Sequence, residues 1–124
     1  MSKTLELSEL PHTWIFDIDG TILKHNGYLF EGDEVLEGAR EFFETIPEQD
    51  KIILLSAREA SIKEQTEKFL QDNGFRFDEI IFDVPAGERI LVNDSKPSGL
   101  MCAYAINLKR DGFDMPTLEI NKNL

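Results

Sequence analysis

Apolar residues gather in five short runs along the chain: 13–18 (TWIFDI), 51–56 (KIILLS), 79–83 (EIIFD), 89–93 (RILVN) and 103–107 (AYAIN). Each is rich in β-branched or aromatic residues and nearly continuous in apolar character. That pattern suits strands covered on both faces and predicts a mainly parallel sheet. Between the first two runs the spacing turns helical. Val35, Leu36, Ala39, Phe42, Phe43 and Ile46 share one face, Asp33 stands where an N-cap belongs, and Pro47 stops the helix. A second helix is predicted over 59–72, with Ile62, Thr66, Phe69 and Leu70 on its inner face. Ser61 and Glu64 have the spacing of a capping box, and Gly74 follows the helix end. A βαβα order followed by further strands is an α/β layer fold.

Two segments need separate treatment. Only DVPAGE or so separates the third and fourth runs, whereas a parallel crossover normally takes a dozen or more residues. Either those runs form a hairpin, or a connection of about 20 Å stretches beneath two strands spaced about 4.8 Å apart. The segment 20–32, GTILKHNGYLFEG, has apolar residues on both sides of His25, Asn26 and Gly27. An Asn-Gly pair in that setting predicts a small β-hairpin flap over the end of the first strand. With no repeat, low-complexity tract or flexible linker, a single domain over 1–124 is expected.

Composition narrows the class of protein. Of 124 residues, 41% are hydrophobic and 30% charged, which is ordinary for a soluble globular chain and too apolar for disorder. No apolar run approaches the roughly 18 residues of a membrane span, and MSKTLELSEL lacks the apolar centre of a signal peptide, so a cytoplasmic protein without membrane contact is expected. Cys102, the one cysteine, reads as a small core residue. The net charge of −11 opposes sustained contact with a nucleic-acid backbone, and the longest basic cluster is the pair Lys109 and Arg110, which reads as a solvated surface pair. A small phosphate can still bind an acidic protein where a metal ion and a few cations screen it locally.

The candidate chemistry lies where the strands end. In open parallel sheets, ligands bind outside the carboxyl ends of the strands. Asp17 and Asp19 follow the first run, Ser56 and Arg58 the second, and Asn93, Asp94 and Lys96 the fourth. An unpaired buried carboxylate costs several kcal/mol, so two acids closing an apolar strand must face a cation, donors or water. Carboxylates from neighbouring strand ends are the hard oxygen ligands that Mg²⁺ takes, with water and substrate phosphate completing an octahedron.

These motifs resemble those of the haloacid dehalogenase superfamily of aspartate-based phosphatases. WIFDIDGTIL is similar to its first motif, an apolar strand followed by DxDGT; IILLSAR to the second, a strand ending in Ser or Thr; and ILVNDSKPSG to the last, a strand ending in metal-binding acid. The resemblance runs over about residues 13–108. It implies a three-layer Rossmann-like sandwich with strand order 3-2-1-4-5. Because neither candidate insertion is long enough to house one, no cap domain is expected.

Carried over by position, the resemblance implies that Asp17 attacks phosphorus and becomes an aspartyl phosphate, while Asp19 protonates the leaving oxygen and later deprotonates water. Mg²⁺ would be held by the Asp17 side chain, the Asp19 carbonyl and the Asp94 side chain. Ser56 would donate to a phosphate oxygen, with Lys96 as the stabilising cation and Arg58 as a second one. Gly20, Thr21 and Ala57 complete the expected substrate-binding set. Arg89 begins its strand, about 16 Å from Asp94 along an extended chain, and reads as a surface charge. Asn93 and Ser98 depart from the commoner acid pairing of the last motif.

An open site suits a large substrate unless a second copy of the chain covers it. Similarity of ILVNDSKPSGL and AYAINL to small capless proteins of bacterial surface-sugar biosynthesis points to a sugar phosphate or sugar-linked phosphate. Two alternatives stand beside a Mg²⁺-dependent phosphomonoester phosphatase: a phosphatase of nucleic-acid ends, and a noncatalytic phosphate-binding or regulatory module. Blander readings also apply. Ser56 could cap the second helix, Arg58 could pair with a nearby glutamate, His25 reads as an exposed hairpin histidine, His12 as a solvated one, and Trp14 as packing under a helix.

Overall fold

A computed structural model describes residues 4–124, which group into two compact units. The larger comprises Pro11–Ala86 and Leu108–Asp114; the smaller takes in the described residues up to Leu10 with Gly87–Asn107 and Met115–Leu124. The elements, in chain order, are β1 (Thr4–Leu7), β2 (Thr13–Asp17), α1 (Ala39–Thr45), β3 (Lys51–Leu55), α2 (Lys63–Asp72), β4 (Glu79–Ile81) and β5 (Thr117–Ile120), with short 3-10 turns at Gly27–Leu29 and Ala60–Ile62. It is an α/β architecture with parallel sheets.

In the larger unit β2, β3 and β4 form one parallel sheet in that order. Its register sets Asp17 beside Leu55 and Leu55 beside Ile81, so all three strands end at one edge. The third apolar run therefore joins the sheet in parallel. Asp78 fastens its start, taking the Ile52 amide on its carboxylate at 2.7 Å while its own amide donates to the Ile52 carbonyl at 2.8 Å. Phe16, Ile18, Ile22, Leu23, Ala39, Phe43, Ile46, Ile52, Leu54, Leu70 and Phe75 make the core. Aromatic edges knit it together: Phe16 and Phe43 centroids lie 4.5 Å apart, and Phe43 meets Phe75 at 4.9 Å. Trp14 packs against Phe42 at 5.6 Å and donates its indole N–H to the buried Asp50 carboxylate at 3.0 Å.

Several expectations from sequence need correction. The first helix starts at Ala39 behind Gly38 (φ +89°), not at Asp33. Residues 34–36 are drawn instead into backbone pairing with 22–24: Lys24 N–H donates to Glu34 at 2.8 Å, Leu36 N–H to Ile22 at 3.0 Å, and Leu23 bridges Val35 antiparallel. Leu23 also bridges Asp19 in parallel, and Asn26 (φ 55°) leads into a 3-10 turn where a two-residue hairpin turn was expected. Ser61 makes no cap; its hydroxyl lies 3.4 Å from Glu59, and a 3-10 turn precedes α2.

Residues 89–93 and 103–107 form no strand. In the smaller unit Ile90 and Val92 are 84% and 88% exposed, and with no strand hydrogen-bonded alongside, an apolar run has neither ladder nor cover to hold it extended. That unit builds its sheet from segments not foreseen as strands. TLEL at 4–7 and TLEI at 117–120 pair in parallel, Thr4 beside Thr117 through Leu7 beside Ile120. Among the described residues, Leu7 and Leu100 are its buried hydrophobics.

The end of α2 shows how local sequence closes an element. Gly74 adopts φ +83°, its N–H donates to Gln71 at 3.1 Å, and the Phe75 N–H reaches back to Leu70 at 3.0 Å, placing Phe75 in the core. This is the paired closure that a left-handed glycine permits. Gly74→Ala should lower stability by about 1–2 kcal/mol, because alanine resists that conformation. The midpoint of urea unfolding checks it.

Candidate active site at the carboxyl ends of β2 and β3

The DIDGT segment leaves β2 in a tight coil. The Ile18 carbonyl accepts from Thr21, Ile22 and Leu23 at 3.2, 3.0 and 3.1 Å, and the Gly20 N–H returns to Leu23 at 2.7 Å. Gly20 makes the turn possible with φ +84°. Thr21 donates its hydroxyl to Asp17 Oδ2 at 3.1 Å, so the half-buried strand-end carboxylate is oriented by its own turn.

On the neighbouring strand end, Ser56 is 1% exposed and its Oγ accepts the Arg58 amide at 3.0 Å. Its hydroxyl closes the turn after β3, while Ala57 is exposed. Residues after β4 brace the same turn: Val84 N–H donates to Ser56 at 3.0 Å, Asp83 N–H to Arg58 at 2.9 Å, and the Asp83 carboxylate accepts from Ala60 at 3.3 Å.

Arg58 is the centre of this edge. Its side chain is 1% exposed, and all five of its N–H donors are taken. Nε and Nη2 hold the two oxygens of Asp19 at 3.0 and 2.8 Å; Nη2 and Nη1 hold those of Asp33 at 2.6 and 3.1 Å; and Nη1 also donates to Thr66 Oγ1 at 3.0 Å. Thr66 passes its own hydroxyl proton to the Ile62 carbonyl at 2.9 Å. The Tyr28 ring covers the guanidinium, 4.1 Å from centroid to Cζ. Burial works against the guanidinium charge, but hydrogen bonds to Asp19 and Asp33, and their negative charge, outweigh it and hold its pKa above the usual arginine value. A pKa raised in the folded state means that the stabilisation is complete below the ordinary arginine range and is lost only in strong alkali.

These bonds correct the expected role of Arg58: no N–H is left for a phosphate, and the residue positions Asp19. Asp33, foreseen as a helix cap, supplies the second carboxylate. Asp33 and Tyr28 were missed because the contacts cross 25 and 30 residues of chain and no local spacing marks them.

The structure thus brings Asp17, Asp19, Gly20, Thr21, Ser56, Ala57 and Arg58 to one edge of one sheet. Asp94 and Lys96 belong to the smaller unit. There they lie on an exposed stretch that turns back where Lys96 N–H donates to Leu100 at 2.8 Å, and the Asn93 amide contacts the Asp94 carboxylate at 3.3 Å. Among the described residues no group of three or more His, Cys, Asp or Glu could hold a metal ion. Any cation at the DIDGT turn would complete its shell with backbone, water or substrate oxygens, which Mg²⁺ readily does.

No protein-family model matches the chain, and no curated protein does. Two solved chains are similar to it. One, from a structure of a Pnkp1/Rnl/Hen1 complex, is 26% identical over 66% of this chain and 31% of its own length, with a TM-score of 0.51. The other, from a structure of the Pnkp1/Rnl/Hen1 RNA repair complex, is 26% identical over 68% of this chain and 29% of its own, with a TM-score of 0.51. This chain spans less than a third of the length of either.

Removing Arg58 would leave two largely buried carboxylates facing each other without a cation. Arg58→Ala should cost about 3–5 kcal/mol, and Arg58→Lys should recover little because an ammonium cannot grip two carboxylates in a planar fork. Urea denaturation of both variants measures the loss; a change under 1 kcal/mol would contradict the assignment.

Proposed function

We propose that the chain is a phosphomonoester hydrolase that works through an aspartyl phosphate on Asp17. The observation that carries this is the placing of two carboxylates two residues apart in different surroundings: the Thr21 hydroxyl donates to Asp17, and Arg58 grips both oxygens of Asp19. Two acids in different surroundings suit different tasks. Asp17 attacks phosphorus as the bond to the leaving oxygen breaks, and Asp19 gives that oxygen a proton. Water then attacks the phosphorus of the aspartyl phosphate, Asp19 takes the proton, and inorganic phosphate departs with Asp17 restored. Each oxygen of Asp19 keeps a lone pair beyond the one used by Arg58, so the residue can be held and still exchange a proton.

The Asp17 carboxylate and the Asp19 carbonyl are the donors we assign to Mg²⁺, which supplies neutralisation between an anionic nucleophile and an anionic substrate. A capless domain of the haloacid dehalogenase type, built on the first three of the expected strands, is part of the same proposal. It is supported by the three parallel strands and the coiled DIDGT turn. For the substrate, the sequence resemblance favours a sugar phosphate. A phosphorylated nucleic-acid end is the second class, favoured by the 26% identity to a chain of an RNA repair complex.

Phosphate release from a panel of sugar phosphates, phosphorylated oligonucleotides and an aryl phosphate, with Mg²⁺ or chelator, tests the reading. Wild type should release phosphate only with metal, Asp17→Asn should release none, and Asp19→Asn should be slower by roughly 10²–10⁴-fold. Turnover surviving in Asp17→Asn would remove the nucleophile assignment, and phosphate binding without turnover would make the chain a binding module.

A further inference from the structure

With Arg58 consumed inside the fold, the larger unit needs another cation for any anion brought to Asp17. The segment 108–114 supplies one. The Asp111 N–H donates to the Gly20 carbonyl at 2.8 Å, its carboxylate accepts the His25 N–H at 2.8 Å, and Phe113 packs on Phe42 at 5.7 Å. Asp111 holds φ 61° in doing so. The segment is therefore tied to both the DIDGT turn and the flap, and the residue just before Asp111 is carried onto the turn.

That residue is Arg110. A Cβ placed on Gly20 would meet the Arg110 Cγ at 3.3 Å and the His25 ring Nδ1 at 3.7 Å. The arginine stem thus lies over the bare face of the glycine, three residues beyond the nucleophile. Arg110 is exposed, and among the described residues its guanidinium has no hydrogen-bond or ion-pair partner. Nearby charge sharpens the point. Asp17, Asp19, Asp33 and Asp111 are acidic, Arg58 is fully spent on Asp19, Asp33 and Thr66, and Arg110 is a cation whose stem lies directly on the turn.

We infer that Arg110 is the arginine that contacts the substrate's phosphate at the DIDGT turn, the task that the sequence had given to Lys96 and Arg58. This rests on the phosphatase reading and adds to it a phosphate-binding residue outside the three motifs. A guanidinium suits the task because its fork donates to two phosphate oxygens at once.

The test is the inhibition constant of inorganic phosphate and the KM for an aryl phosphate, measured on the full chain with Mg²⁺ for wild type, Arg110→Ala, Arg110→Lys and Lys109→Ala. Arg110→Ala should raise both constants about tenfold or more, Arg110→Lys should recover part of the loss, and Lys109→Ala should stay within about twofold of wild type. Equal thermal midpoints would tie the losses to binding, since the side chain is exposed. Unchanged constants in Arg110→Ala, with turnover abolished in Asp17→Asn, would overturn this inference and leave the phosphatase standing. A wild type that neither hydrolyses the ester nor is inhibited by phosphate would overturn both.

Discussion

A buried guanidinium shared between two carboxylates holds this sheet edge together. Arg58 joins four parts of the chain that local structure alone would leave independent: the turn after β2 through Asp19, the flap through Asp33 and Tyr28, α2 through Thr66, and its own β3 end. Taking such a group out of water costs several kcal/mol, which only complete hydrogen bonding offsets. Five donors with five acceptors meet that condition, and no buried side-chain nitrogen or oxygen among the described residues lacks a partner. An apolar cluster of the same volume could hold the elements as firmly. What it could not do is fix the carboxylate of Asp19 in one orientation, which two parallel N–H bonds do.

The turn itself depends on what Gly20 lacks. Its left-handed φ lets the chain coil back onto Ile18, and its missing side chain leaves a bare face for Arg110 and His25. Any substitution there meets two penalties of different origin, backbone strain and crowding against the Arg110 stem. The segment 108–114 is held by the turn it covers, because Asp111 bonds to the Gly20 carbonyl and to the flap at His25. Ordering at one place is thereby passed to the other: the Arg110 stem lies where it does because the DIDGT turn is shaped as it is.

Sequence pattern read the larger unit well where the forces are local or periodic. The runs at 13–18, 51–56 and 79–83 became adjacent parallel strands, Phe43, Ile46 and Leu70 entered the core, and Gly74 ended α2. The acids and the Ser-Ala-Arg segment were found at one sheet edge because strand ends are visible as the place where apolar runs stop. Partners across many residues were not visible: Asp33 looked like a cap and Lys109–Arg110 like a solvated pair, since nothing local tells an acid that caps from one that pairs. Apolar character alone misled at 89–93, where Ile90 and Val92 are exposed. The four-residue strands at Thr4–Leu7 and Thr117–Ile120 escaped notice because each is short and half polar, and only their likeness to each other, TLEL and TLEI, signals the pairing.

Two acids can close a buried strand here because the strand stops between them. Had β2 continued, Asp17 and Asp19 would lie on the same face with like charges near each other. The chain instead coils at Ile18, so the first acid stays at the strand end under its threonine and the second swings to the arginine of the next strand. Separating them electrostatically requires both a glycine that can take φ +84° and a cation already buried beside the turn. The DxDGT spacing and the arginine after β3 are therefore one device: the motif supplies the two carboxylates, and Arg58 gives them different surroundings.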